Sequence, residues 1–225
     1  MRKLIIILIL ANSLSALAQK PLFDHPIKVL DHARFIANYT LIFNEDSLNL
    51  NVNRKEDFLL FLGEYINLFI GKDSYYFKLN GRNITSREQL QQFVNEYAAK
   101  GVYSRFSWEF LKNYPNGKMT CYHHLTTGPF LYEEDLNLFD WQLTDSIDTI
   151  AGYPVQMATT DFGGRSWIAW FSPEIPFNDG PYKFNGLPGL IVKVYDTRMH
   201  YVFELKDIEK PDHEIAIEFY REELF

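Results

Sequence analysis

Cysteine is nearly absent from this chain. Among 225 residues there is one, Cys121, so no internal disulfide can form and stability must come from packing. Positive charge is in deficit, with 22 Lys and Arg against 29 Asp and Glu and a formal charge of −7. That balance argues against nucleic acid and anionic membrane surfaces as partners. After the N-terminus no stretch reaches the roughly 20 apolar residues that a membrane-spanning helix needs. A G-x-S-x-G nucleophile elbow and a phosphate-binding glycine loop are both missing. The histidines show no metal-ligand spacing, and nothing implies a cofactor.

What is present starts with a leader. Met1-Arg2-Lys3 is basic, Leu4 to Leu10 is wholly apolar, and Ala16-Leu17-Ala18 offers the small residues of a cleavage site. The pattern predicts a signal peptide over residues 1–18 and export to the periplasm or the medium. Residues 19–225 are then one domain, with no transmembrane span after cleavage. Its 19 Phe, 14 Tyr and 4 Trp suit a β-rich protein.

Along the chain, residues 19–33 read as an irregular entry and Arg34–Asn44 as a strand. Glu45-Asp46-Ser47 is a polar break before a short strand at Leu48–Val52. Asp57–Phe69 is a hairpin or bent strand around Gly63-Glu64. One helix is predicted from Thr85 to Gly101. Thr85 and Glu88 fit a capping box, Leu90, Phe93, Val94, Tyr97 and Ala98 form an apolar stripe, and Gly101 ends it. Phe106–Phe110 alternates as a strand does. Asn116-Gly117 suggests a tight hairpin that puts Glu109 opposite His124 and Phe110 opposite His123. Phe130–Tyr132 is another strand, broken at Glu133-Glu134-Asp135. The fold class is mainly β (α+β): a strongly curved antiparallel sheet or partial barrel with one prominent helix packed on it.

Ile150–Tyr201 is the most informative stretch. Gly163-Gly164 is a two-residue hairpin turn that sets Phe162 against Arg165, Thr160 against Trp167 and Met157 against Trp170. One face then carries Tyr153, Val155, Met157, Ile168 and Trp170, the expected core side. The other carries Ala158, Thr160, Phe162, Arg165, Trp167, Ala169 and Phe171. Leu187-Pro188-Gly189-Leu190 fits a type II turn, with Pro188 presetting φ and Gly189 supplying a positive one. Leu190–Tyr195 is a strand. The glycines and prolines here shape a turn rather than touch a substrate.

Gly186-Leu187-Pro188-Gly189-Leu190-Ile191 spells the motif of the GLPGLI family, which the chain resembles. The resemblance extends through Trp141-x-Leu143, Gly152-Tyr153, Ala158, Phe162-x-Gly164-Arg165, Ala169-Trp170, Ile175-Pro176, Gly180-Pro181, Phe184 and Asp196. It departs at Val155, where that family commonly has a Cys. It implies an exported envelope protein of a family with no established biochemical activity.

Candidate sites divide as follows. His123 and His124 point to opposite faces of a strand, so they are poorly placed to share a metal even with Glu109 across the hairpin. Cys121 and His123 share a face, as a thiol nucleophile and base would, or as a core thiol and its neighbour would. Glu133-Glu134-Asp135 reads as a solvated strand end rather than a catalytic carboxylate pair. Arg165, beside Trp167 and Phe171, is suited to holding an anionic group among rings, or to a structural bridge with Asp196, Asp161 or Glu174.

Three readings of function follow. The first is a non-catalytic exported protein holding a small amphipathic ligand or peptide at Arg165, Trp167 and Phe171. The second is an envelope assembly or protein-interaction factor. The third is a hydrolase using Cys121 and His123 or a His metal site. The leader makes an immediate prediction: the intact mass of the exported protein should correspond to a chain beginning at Gln19. Retention of residues 1–18 would point to a membrane anchor instead.

Overall fold

The computed structural model describes residues 27–44, 53–101, 104–125 and 128–220. The expected leader, the polar break at Glu45–Ser47 and the strand at Leu48–Val52 lie outside the described residues. Within them strand far outweighs helix, with thirteen strands and two helices. The N-terminal strands are β1 (Ile27–His32), β2 (Phe35–Asn44), β3 (Asn53–Leu62) and β4 (Asn67–Gly71). Helices α1 (Lys72–Gly81) and α2 (Arg87–Ala99) follow. Then come β5 (Trp108–Lys112), β6 (Lys118–Leu125), β7 (Gly128–Asp135), β8 (Gln142–Ile150), β9 (Tyr153–Phe162), β10 (Arg165–Ser172), β11 (Leu190–Asp196), β12 (Tyr201–Glu209) and β13 (Ala216–Tyr220).

Eleven strands form one antiparallel sheet in the order β7-β6-β5-β4-β3-β2-β12-β11-β10-β9-β8, and β1 pairs with β13 in a separate ribbon. The end strands β7 and β8 do not pair with each other, so the sheet is open rather than a closed barrel. The expected hairpin at Gly63-Glu64 is the β3–β4 connection. Phe58-Leu59-Leu60-Phe61-Leu62 is apolar at every position because both faces of β3 are covered. Phe58 and Leu60 face the main core, which runs beneath the whole sheet. Leu59 and Phe61 face a smaller cluster with Leu68, Ile70 and Leu111, covered by the ribbon through Ile217 and by Tyr75 of α1.

The helical expectation needs two corrections. Ser86, not Thr85, caps α2: its hydroxyl accepts from the Gln89 N–H at 3.2 Å, while Gln89 Oε1 accepts from the Thr85 N–H at 2.9 Å. The cap is therefore one residue later, with the Gln89 side chain reaching back to Thr85 rather than to the Ser86 N–H, and equally good capping chemistry at Thr85 hid the choice. Second, α2 has no buried residue and does not lie across the sheet. Phe93 and Tyr97 pack instead on Phe77 of α1, at ring separations of 4.9 and 5.1 Å. Helix α1 has no amphipathic stripe to announce it, and its Tyr-Tyr-Phe run looks like strand.

The Gly163-Gly164 hairpin forms with the register expected, Phe162 against Arg165, Thr160 against Trp167 and Met157 against Trp170. Its faces are the reverse of expectation. Ala158, Thr160, Trp167, Ala169 and Phe171 are buried, whereas Met157, Ile168 and Trp170 are half-buried on the outside. Val155 alone of the predicted core face is fully buried. The deciding element is the segment 173–189, which we call the strap. It lies on the Trp167 side, where Phe184 meets the indole at 4.8 Å, and adds Ile175, Phe184 and Leu187 to the core.

The strap ends without the expected type II turn. The Gly189 N–H donates to Leu187 O at 2.8 Å, a three-residue turn, and the Leu190 N–H donates to Ile175 O at 3.1 Å. Gly189 has φ of 151°, which L side chains rarely adopt, and a Cβ there would overlap the backbone carbonyl of Ser172. Glycine is required by close approach as well as by torsion. Gly189→Ala should therefore lower stability by about 1–3 kcal/mol, and Pro188→Ala, at an exposed position, by much less. Equal, negligible shifts in thermal melting would contradict this account.

Candidate binding site

The five residues of β5 read Trp108-Glu109-Phe110-Leu111-Lys112, and alternate ones face the main core. Register carries that alternation across the neighbouring strands. Trp108 lies opposite His123, which lies opposite Phe130. The next inward row is Phe69, Phe110, Cys121 and Tyr132, and the third is Asn67, Lys112, Met119 and Glu134. The strap crosses the second and third rows and reaches the first through Tyr182, whose ring lies 5.1 Å from Trp108.

Two lysine–carboxylate pairs hold the strap there. Lys112 of β5 is almost fully buried and donates to Asp179 Oδ1 at 2.5 Å, Gly180 O at 2.7 Å and Phe184 O at 3.0 Å. Asn67 of β4 donates to the other Asp179 oxygen at 2.5 Å. Burial pulls the Lys112 pKa below the lysine range, and Asp179 opposes that shift. The second pair has the opposite polarity. Lys183 of the strap donates to Glu134 Oε2 at 2.5 Å and to the Tyr132 hydroxyl at 3.0 Å. Its ammonium faces the rings of Phe110, Tyr132 and Tyr182 at 5.8, 5.1 and 5.9 Å. Burial opposes its charge, but the bonds to Glu134 and Tyr132 outweigh it and hold the ammonium above the usual lysine range.

Tyr182, between these anchors, has a left-handed backbone with φ of 54°. That conformation is strained for a bulky residue and marks a position fixed by its surroundings. It sets the Tyr182 ring 5.1 Å from Trp108 and 5.0 Å from Phe110. Phe106 touches Trp108 at 4.2 Å, His123 stacks on Tyr132 at 5.7 Å, and Tyr132 meets Phe130 at 5.5 Å. Phe106, Trp108, His123, Tyr132 and Tyr182 are half-buried and Phe130 is 53% exposed. The result is a ledge of rings at the end of the inner face. Burial, aided by Lys183, lowers the His123 pKa, so the imidazole is neutral near neutral pH.

The sequence-predicted residues fall into place around this ledge. Trp167 and Phe171 are buried in the core, and the Trp167 Nε1–H donates to Phe162 O at 3.0 Å. Arg165 is partly exposed, binds the fully buried Asp196 at 2.6 Å and stacks over Tyr201 at 5.0 Å, so it joins β10 to the end of β11. The three do not form one surface. Gly163 and Gly164 form the turn, while Leu187, Gly189, Leu190 and Ile191 are buried and Gly186 and Pro188 are exposed. Glu109 lies opposite Tyr122, not His124, and pairs with Lys78. The Asn113–Gly117 connection replaces the tight Asn-Gly turn, with Asn113 at φ of 63°, and shifts the hairpin register by two. Strand β7 continues through Glu133-Glu134-Asp135 instead of breaking, with Glu134 turned inward. Cys121 and His123 do share a face, but the thiol is buried, 3.6 Å from Glu134. The shifted register is what concealed the ledge; the alternation of Phe106, Trp108 and Phe110 was its only visible sign.

Residues 163–193, which span β10 and the strap into β11, match a family model described as "Protein of unknown function (Porph_ging)". No curated protein matches the sequence significantly. Two crystal structures of PNGF-II, in space groups P21 and C2, resemble the fold with TM-scores of 0.53 and 0.54. Identity is 13% and 12% over 82% and 80% of this chain. The aligned part is 29% and 28% of PNGF-II, so this chain spans less than a third of that protein. The likeness is one of fold alone.

The buried thiol gives a direct test of the site. Burial raises the Cys121 pKa to about 11, against 9.0 for an ordinary thiol. Native protein at pH 8 should resist alkylation by iodoacetamide and react once denatured. Because the native state retains the proton longer than the unfolded one, this thiol's contribution to stability should fall as pH rises from about 9 to about 11. Rapid modification of the folded protein would show that Cys121 is accessible.

Proposed function

We propose that this protein is a non-catalytic binding protein of the cell envelope, exported by its leader to the periplasm or beyond and allied to the GLPGLI family. Its ligand, a small amphipathic molecule or a peptide, is held on the ledge of Phe106, Trp108, His123, Phe130, Tyr132 and Tyr182. The observation that carries this reading is Tyr182, held in a left-handed backbone with its ring against Trp108 among half-buried aromatics. Touching rings with accessible edges supply apolar area at low conformational cost, and polar tips supply orientation. The main core on one side of the eleven-stranded sheet is compatible with a strongly curved sheet with this ledge at one end. The reading moves the ligand surface away from Arg165, Trp167 and Phe171, two of which are in the core. A hydrolytic reading through Cys121 is disfavoured by a thiol kept protonated and by a His123 ring that stacks on Tyr132.

Native mass spectrometry of the exported protein tests the proposal. A co-purifying ligand should be present in the wild type and lost from Trp108→Ala and Phe130→Ala. Phe130 is exposed enough that its removal should change stability by only about 0.5 kcal/mol, so loss of ligand there reads as loss of recognition. Retention of the ligand by both variants would overturn the proposal.

A further inference from the structure

The sheet ends in two strands of different character. At one end β8 is blunted. Leu143 lies opposite Ala158 and Ile147 opposite Gln156, so the residues between them, Thr144 to Ser146, face Met157 alone. The irregularity is fixed by side chains: Gln156 Nε2 donates to Thr144 O at 2.8 Å, and the Thr144 hydroxyl donates to Met157 O at 3.1 Å. A bulge of this kind spoils an edge as a template for another strand. At the other end β7 is regular. All eight of its residues pair with β6 without a shift, and it is the terminal strand of the sheet among the described residues.

We infer that β7 accepts an extended segment of a partner protein as an added strand, and that this segment alternates apolar or aromatic residues with Lys or Arg. The inference rests on the ledge as the binding surface and names its ligand class. An added strand continues the cross-strand rows of the sheet, so its side chains meet those of β7 on both faces. On the inner face it lies beside Phe130 and Tyr132, the outer rings of the ledge, which favour an apolar or aromatic partner. On the outer face it lies beside Leu131, Glu133 and Asp135; both carboxylates are exposed, but Asp135 already bridges Lys118 of β6 at 2.5 Å, so the preference for a cation rests on Glu133. Period-two alternation turns these two faces into an alternating sequence preference. Charge also decides against a second copy of this chain. Two β7 edges brought together would bring Glu133 of each copy against the other's acidic strand end, on a protein of formal charge −7. A cationic segment gains where a second copy loses.

The test uses the full exported protein and two synthetic octapeptides, one alternating Phe with Lys and the other Phe with Glu. Fluorescence anisotropy should show at least tenfold tighter binding of the Lys peptide at low salt, with Glu133→Lys abolishing the difference. Hydrogen exchange should slow at alternate amides of residues 130–135 when the Lys peptide is bound. Binding that requires Trp108 and Phe130 but leaves the β7 amides unprotected would overturn strand addition and leave the ledge as a ligand site. Equal affinity for both peptides, or no binding of either, would overturn the inferred partner; co-purified ligand lost from Trp108→Ala and Phe130→Ala would still support the ledge. Protection of β7 that grows with protein concentration and needs no peptide would assign the edge to a second copy and overturn the inference.

Discussion

An ammonium group removed from water needs a counter-charge and full hydrogen bonding, and Lys112 obtains both from a segment far away in sequence. Asp179, Gly180 O and Phe184 O satisfy its three N–H groups. Desolvation would otherwise make a charge at this position prohibitive. That requirement fixes where the strap crosses β4 and β5. With Asp179 placed, Lys183 falls over β6 and β7 and finds Glu134, and Tyr182 between them must present its ring to Trp108. The core assignment of β9 and β10 follows too, since Phe184 covers Trp167 from the same side. The pair is better understood as a device for register than as a large net source of stability, because an apolar pair of similar volume could be equally stable but would not specify which residues meet.

Much of the fold was legible where local chemistry has one solution. Gly163-Gly164 between alternating strands permits one tight hairpin, and its register was read correctly. The strand at Arg34–Asn44 and the break at Gly63-Glu64 were similarly plain. Legibility failed where two solutions have similar local energy. Thr85 and Ser86 can each cap a helix. Either face of the β9–β10 hairpin could be a core by hydrophobicity, and only the strap, bound to Asn67, 112 positions upstream of Asp179, and to Lys112, decides between them. Asn116-Gly117 suggested a short turn, but Asn113 takes the left-handed conformation and the loop is longer. The displaced register moved Trp108 opposite His123 and brought the aromatic row into existence. Lys112 and Lys183 gave no sequence signal, since a lysine in a strand is most often solvated.

Fold likeness and site are separate matters in this protein. The sheet is shared at low identity with part of a much larger protein, and what it does there does not transfer. The residues matched by the family model include the strap, the element that covers part of the inner face. The rings of β5, β6 and β7 lie outside the matched segment, whereas Tyr182 lies within it.

The strap also bears on how the chain becomes native. Asn67 and Tyr39 wait for Asp179 and Ile191, partners 112 and 152 residues further along. As the chain is synthesised, β2 to β7 emerge with the Lys112 ammonium lacking its counter-ion and Phe110 lacking its cover. Such separations slow folding, because loop closure must precede the contacts that reward it. These strands therefore gain their last buried partners only when the final fifth of the chain is available. Burying the Lys112 charge thus ties the completion of the N-terminal strands to residues near the far end of the chain.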